Sequence, residues 1–235
     1  MRDSIEPNKC QFCSANNNTI FKNLTQEENE LLESQKICSP YKKGDILYNE
    51  GSKIKGTYCV NNGIVKIFKT GIDCKEQIVA FAKKGDILGY RSTMSGELAC
   101  TTAKVLDDAE ICFIPGDIMF KLIKTNGNFA LNLIQFTCKE LGEANNFMTD
   151  IAQKTVRERL AEVLLKLNRD FGITEEGYIA ISLTREELAN IVGTATESVI
   201  RLLSEFKQDK LIEIKGRKIK IIDVQSIERI SNVFN

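Results

Sequence analysis

Read for its alternation of apolar and polar positions, the chain has a β-rich first half and a helical second half. From Tyr41 onward, short β-prone runs stand between turn signals: Thr57-Tyr58-Cys59-Val60, Ile64-Val65-Lys66-Ile67-Phe68, Gln77-Ile78-Val79-Ala80-Phe81 and Ala109-Glu110-Ile111-Cys112-Phe113-Ile114. The turns are Lys43-Gly44-Asp45, Glu50-Gly51-Ser52, Asn61-Asn62-Gly63, Lys69-Thr70-Gly71 and Lys84-Gly85-Asp86. Short strands at this spacing predict an antiparallel β barrel or jelly roll. Ahead of them, Thr25-Gln26-Glu27-Glu28 has the form of a capping box and predicts a short helix to about Ser34.

After Ile114-Pro115-Gly116-Asp117 the period lengthens to that of a helix. Phe129, Leu133, Phe136, Glu140, Ala144, Phe147 and Ile151 recur at steps of three or four and form one stripe of a long helix. The stripe packs either on the barrel or against the same helix of a second chain, and periodicity does not choose. Residues 154–171 predict another helix, with Val156, Leu160, Val163, Leu164 and Leu167 on one face, and Tyr178 to Leu183 a short strand. The fold class is α+β, in four stretches: a tail at 1–24, a barrel at 25–125, a long helix at 126–152 and a C-terminal domain at 153–235.

That last domain carries the clearest chemistry. Thr184 to Val192 reads as a short capped helix, with Thr184 and Glu187 as its box and Gly193 at the turn that ends it. A second helix follows, burying Val199, Leu202, Leu203 and Phe206 and keeping Thr196, Glu197, Ile200 and Arg201 outside. Two helices joined by a tight glycine turn form a helix-turn-helix, whose second helix enters the major groove of double-stranded DNA. Arg201 suits guanine O6 and N7, and Glu197 suits the cytosine amino group. Thr184, Arg185, Thr194 and Ser198 are placed to hold phosphates. Leu211 to Ile222 reads as a hairpin turning at Lys215-Gly216-Arg217, a wing whose Lys215, Arg217, Lys218 and Lys220 supply positive charge.

Composition changes this picture in two ways. The 32 basic residues are balanced by 32 acidic ones, so the wing's charge is local and hidden in the total. There is no histidine, which excludes Ser-His-Asp and Cys-His catalysis and histidine-ligated zinc or haem. The N-terminus has no apolar core of a signal peptide, and no run of about 18 apolar residues offers a membrane span. The expected location is the cytoplasm, where structural disulfides are not expected, so the eight cysteines need another account.

Over nearly its whole length the chain resembles the Crp/Fnr family of transcription regulators. The resemblance is carried by the barrel turns Lys43-Gly44-Asp45, Gly51 and Gly63, by Lys84-Gly85-Asp86-Ile87-Leu88-Gly89, by Val156-Arg157-Glu158-Arg159-Leu160-Ala161 and by Leu183-Thr184-Arg185 through Arg201-Leu202-Leu203. It implies a cyclic-nucleotide-binding-type barrel, a long helix whose apolar stripe is a dimer seam, and a winged helix-turn-helix. It implies that Glu197 and Arg201 read the core of each half-site while Thr196 and Ile200 set the remaining bases. The partners are then two-fold DNA, a second copy of the chain and RNA polymerase, with no membrane.

The resemblance also frames the signal. The family's cyclic-nucleotide binders carry Gly-Glu-Leu and an Arg-Ser pair; here Tyr90 replaces the glutamate and Ala99-Cys100 the pair, with Arg91-Ser92 falling too early. Cyclic AMP is therefore not expected. The Fnr branch holds a [4Fe–4S] cluster on three N-terminal cysteines and one from the barrel. Cys10, Cys13 and Cys112 match three of the four; the third N-terminal cysteine would fall near Thr19 and is missing, so Cys38 is its best replacement. Structural zinc is the alternative for the same ligands. Cys59, Cys100 and Cys138 read as small core residues. The function expected is a homodimeric DNA-binding regulator that senses oxygen, nitric oxide or redox state. Rivals are a regulator of the same fold answering to a small organic ligand in the barrel, a thiol redox enzyme, and an interaction protein that does not bind DNA.

Overall fold

A computed structural model describes residues 20–231, in two compact units, Met1–Leu141 and Gly142–Asn235. In the first, helix α1 (Gln26–Gln35) begins at the predicted box: Glu28 N–H donates to the Thr25 hydroxyl and Thr25 N–H to the Glu28 carboxylate. Strands β1 (Ile37–Tyr41), β2 (Ile46–Tyr48), β3 (Gly56–Thr70), β4 (Glu76–Ala82), β5 (Ile87–Leu88) and β6 (Thr102–Pro115) follow. They form one sheet in the order β1-β6-β3-β4, with β2 also on β6 and β5 on β3. All of these pairings are antiparallel, as the spacing of short runs predicts.

One predicted turn is not a turn. The chain passes through Asn61-Asn62-Gly63 inside β3, which stays paired with β6 while the register shifts between Val60 and Asn62, Asn62 and Ile64, and Ile64 and Val65. An Asn-Asn-Gly sequence favours positive φ, and here that need is met by a bulged strand instead of a reversal. Gly63 sits at φ 89°, where an added Cβ would lie 2.5 Å from the Ala109 Cβ. Gly63→Ala is therefore expected to destabilise the unit by at least about 1–3 kcal/mol from backbone strain alone. Urea unfolding checks this; an unchanged midpoint would contradict the close approach of the two strands.

Helices α2 (Tyr90–Ser95), which the periodicity did not reveal, and α3 (Gly116–Thr125) follow, with the first part of α4 (Gly127–Gln153), a helix that continues into the second unit. Here the seam implied by the family resemblance needs correction. Phe129 and Leu133 are buried in the core with Ile20, Phe21, Met119 and Leu122, and Phe136 packs against the same cluster. Phe21 stacks on Phe129 and Phe136 on Tyr90, while the Tyr90 hydroxyl donates to Glu140 at 2.5 Å. Burial, then the bond and charge of Glu140, push that phenol well above its ordinary pKa. The first half of the predicted stripe is thus committed within its own unit. A different row stays exposed along α4: Leu131, Ile134, Cys138, Leu141 and Met148.

The second unit holds α5 (Val156–Phe171), α6 (Arg185–Val192), α7 (Thr196–Gln208), β7 (Ile212–Lys215), β8 (Lys218–Ile221) and α8 (Val224–Ser231). Helix α5 starts two residues later than expected because Thr155 is its cap, boxed with Glu158. Just before it, the Lys154 ammonium lies 2.8 Å from Asp150 and 2.7 Å from Glu162. The predicted strand over 178–183 does not form; its backbone makes one isolated bridge, Ile173 to Ile179. Its side chains still fill the core, since Tyr178, Ile179, Ile181 and Leu183 are all buried. Its backbone pairing is limited to a few bonds, Ile179 N–H to the Ile219 carbonyl, Ala180 N–H to the Gly172 carbonyl and Thr174 N–H to the Tyr178 carbonyl.

Candidate nucleic-acid interface

The interface begins with a cap. Thr184 accepts from Glu187 N–H while Glu187 accepts from the Thr184 N–H, and α6 ends at Gly193 in the left-handed conformation (φ 71°). Thr194 and Ala195 then lead into α7, which buries Val199, Leu202, Leu203 and Phe206. Glu197, Ile200 and Arg201 are exposed together on the opposite face, and Thr194, Thr196 and Ser198 are half-buried at the start of the helix. The wing is a register-perfect hairpin, Lys215 opposite Lys218 and Ile212 opposite Ile221, turning at Gly216-Arg217. Lys215, Arg217 and Lys218 are exposed. The predicted reading residues and the wing charges all fall in one unit.

Several predicted phosphate contacts have other duties. The Thr184 hydroxyl is engaged with Glu187 as cap donor and acceptor. Arg185 donates through Nη2 to the Gly216 carbonyl at 2.9 Å, so it braces the wing turn, and its Nη1 is buried with no partner among the described residues. Burial pulls its pKa below the ordinary guanidinium value. Lys218 lies 3.7 Å from Glu176 and over the Tyr178 ring, and Lys220 donates to the Glu176 carbonyl. The Tyr178 hydroxyl donates to Glu213 at 2.6 Å, which ties the wing to the loop before α6 and holds that phenol above its ordinary pKa.

Two arginines that sequence reasoning passed over hold the motif from behind. Arg159 donates to the carbonyls of Val192 and Lys154 at 2.9 and 2.8 Å, with Ile151 and Gly193 at 3.3 and 3.4 Å. These are carbonyls that helix ends leave without intrahelical partners, so one guanidinium fixes the end of α4 and the turn of the motif together. Arg157 donates to Glu205 on α7 at 3.0 Å, and Glu205 also accepts from Arg201 at 2.6 Å. The run Val156-Arg157-Glu158-Arg159 was visible as a motif; what its charges bind was not.

The first unit holds a cleft lined by Tyr48, Tyr90, Arg91, Ser92, Cys100 and Thr101, among others. Arg91, set aside because of its place in the sequence, reaches Cys100: its Nη2 lies 3.3 Å from the Cys100 sulfur. A cation therefore stands where the sequence reading found none. Burial pushes the Tyr48 phenol up to about 12.

The cysteines are placed as follows. Cys10 and Cys13 lie outside the described residues. Cys38 and Cys112 are directly opposed on β1 and β6 and are joined as a disulfide, where the sequence led to no expectation of a structural disulfide. Cys59, on β3, is opposite Cys112 on its other side, so three cysteines share one rank across β1, β6 and β3. Cys59 is buried as expected, but Cys100 and Cys138 are exposed and are not core residues. A cluster or zinc ion needs thiolates, and a bonded pair offers none. Among the described residues, no three cysteine or acidic side chains are grouped to hold a metal ion. Cys38 and Cys112 as they stand do not fit the expected group.

Comparison with known proteins gives a consistent result. Residues 39–126 match the cyclic nucleotide-binding domain family, and residues 158–230 match the Crp-like helix-turn-helix domain family. The chain is 26% identical over 219 residues to the transcriptional activator protein FnrA of Stutzerimonas stutzeri, covering 91% of this chain and 88% of that protein. It is 25% identical over 232 residues to the fumarate and nitrate reduction regulatory protein of Vibrio cholerae, covering 95% and 90%. Among solved structures, FixK2 from Bradyrhizobium japonicum superposes with a TM-score of 0.77 at 25% identity, over 85% of this chain and 99% of that one.

Proposed function

Because the chain belongs to the Crp/Fnr family of transcription regulators, we propose that it controls transcription as a homodimer seated on a two-fold DNA site. One α7 helix enters the major groove of each half-site, with Glu197 and Arg201 at base edges and Thr196 and Ile200 beside them. Thr194, Ser198, Arg217 and Lys218 lie nearest the phosphates, and Thr184 and Arg185 support this contact by holding α6 and the wing in place. RNA polymerase at the adjoining promoter is the second partner. The observation that carries the reading is the exposure of Glu197, Ile200 and Arg201 on one face of α7, opposite a fully packed one.

The dimer seam in this proposal is the exposed row of α4. Leu131, Ile134, Cys138, Leu141, Asn145, Met148 and Ala152 follow one another at steps of three and four, as the a and d positions of a two-stranded coiled coil do. Asn145 falls at an a position, where a polar residue selects register and a two-stranded state at some cost in stability.

The signal we assign is oxygen, nitric oxide or redox state, read by the cysteines. Cys10-x-x-Cys13, the opposed pair of Cys38 and Cys112, and similarity to a regulator named for fumarate and nitrate reduction support it. No step is routed through a [4Fe–4S] cluster or zinc, because the Cys38–Cys112 bond withdraws two of the four expected ligands. The test compares operator affinity of anaerobic, reduced protein with that of oxidised protein, alongside iron and sulfide analysis. The expected result is a change of about tenfold or more on oxidation, lost in Cys38→Ser. Equal affinities in both states would remove the redox reading. That outcome would favour the regulator of a small organic ligand, for which the cleft with Arg91 beside Cys100 is the supporting feature.

A further inference from the structure

We infer that Glu205 is a positioning residue for DNA reading: held from behind by Arg157, it orients Arg201 and sharpens discrimination between operator and other DNA. The inference rests on the proposal that Arg201 reads a base. Its basis is a carboxylate with both oxygens taken. Glu205 Oε1 accepts from Arg201 Nη1 at 2.6 Å, and Oε2 accepts from Arg157 Nη1 at 3.0 Å. Arg157 is itself fixed, because its Nη2 lies 3.4 Å from Asp209 and its guanidinium sits 4.8 Å above the ring of Phe206, which is fully buried.

An isolated pair of charges one helical turn apart on an exposed face orders little, because both side chains must be immobilised to form it. Here the carboxylate is already immobilised by the helix behind it, so the bond to Arg201 costs the freedom of one side chain instead of two. Arg201, whose side chain is 67% exposed, is thereby held in a restricted set of directions before DNA arrives. A pre-ordered guanidinium gains more from a correctly placed guanine than from phosphates met at random. The carboxylate has a second effect through its charge. A fixed anion on the reading helix opposes attraction to any phosphate backbone, so binding to DNA of any sequence depends more heavily on the base contact of Arg201.

Arg157 is far from the outer face of α7 in function, yet the arrangement makes it matter for specificity. It belongs to the first turn of α5, immediately after the Thr155 cap. Its loss leaves Glu205 free to swing, and Arg201 with it.

The experiment measures affinity of the full-length protein for its selected operator, for that operator with the guanine pair under Arg201 replaced, and for a scrambled duplex of equal length. Proteins compared are wild type, E205Q, R157Q, R157K and R201A, each checked for unchanged unfolding temperature. We expect E205Q to bind scrambled DNA several-fold more tightly and to lower the ratio of operator to scrambled affinity about tenfold. The cost of replacing the guanine pair should shrink in parallel. R157Q should move the ratio in the same direction, and R157Q/E205Q should be no worse than E205Q alone. R157K keeps the charge and tests the arrangement if R157Q fails to fold. Ratios within twofold of wild type for E205Q and for either folded Arg157 variant would overturn the inference. If R201A retains full discrimination, the base-reading proposal itself fails; if R201A loses it and E205Q does not, only the positioning role falls.

Discussion

Arg201→Ala should lower affinity for the specific operator by about 1–3 kcal/mol, roughly 5–150-fold per half-site, while binding to random DNA weakens much less. Val199, Leu202, Leu203 and Phe206 lock one face of α7 into the core, which leaves the rotation of the helix no freedom. Arg201 is then directed outward from a rigid element, beside Glu197 and Ile200. Its guanidinium can offer two parallel donors to guanine O6 and N7, a match that no other base edge provides. Loss of the side chain forfeits that pair and leaves the wing's phosphate contacts intact. Fluorescence anisotropy with specific and scrambled duplexes measures both terms. A uniform loss on both DNAs would assign Arg201 to the backbone and not to a base.

Leu141→Asp should dissociate the dimer, raising its dissociation constant by more than about 100-fold. Leu141 is 62% exposed, and Ile134 and Met148 flank it in the same row at 59% and 60%. Three large apolar side chains open to water along one line of a long helix support the proposed seam on that face. Burying one leucine in a seam contributes about 1.5–3 kcal/mol, and a two-fold interface contains it twice. The substitution removes both contributions and brings two carboxylates face to face. Sedimentation would show a monomer with helix content intact, and operator binding would fall with it because each monomer covers one half-site. A stable dimer in this variant would place the interface elsewhere.

These two predictions draw on parts of the chain that were unequally legible beforehand. The helix-turn-helix was readable because local chemistry determines it: Thr184 and Glu187 cap, Gly193 turns, and the apolar positions of α7 repeat at helical spacing. The open face of α4 was not, because this helix carries apolar residues on two faces. Phe129 and Leu133 are buried while Leu131 and Ile134 are exposed, and spacing within a single helix does not show which face meets its own core. Asn61-Asn62-Gly63 misled for a related reason. Its turn chemistry is local, whereas the continuous pairing of β3 with β6 is a property of the sheet. Nonlocal pairs were hidden in the same way: the Cys38–Cys112 bond spans 74 residues, and Arg185 meets Gly216 across 31. Arg91 shows that a side chain dismissed for its order in the sequence can arrive at a site through space.

The measurement closest to the central claim is selection of bound sequences from a random duplex pool by the purified full-length protein under reducing and oxidising conditions. The expected result is enrichment of an inverted repeat with half-site centres about 10–10.5 base pairs apart, or a multiple of that, each containing a guanine that Arg201→Ala no longer selects. Selection of a single unrepeated site, or no enrichment in either condition, would contradict a dimer that reads DNA through α7.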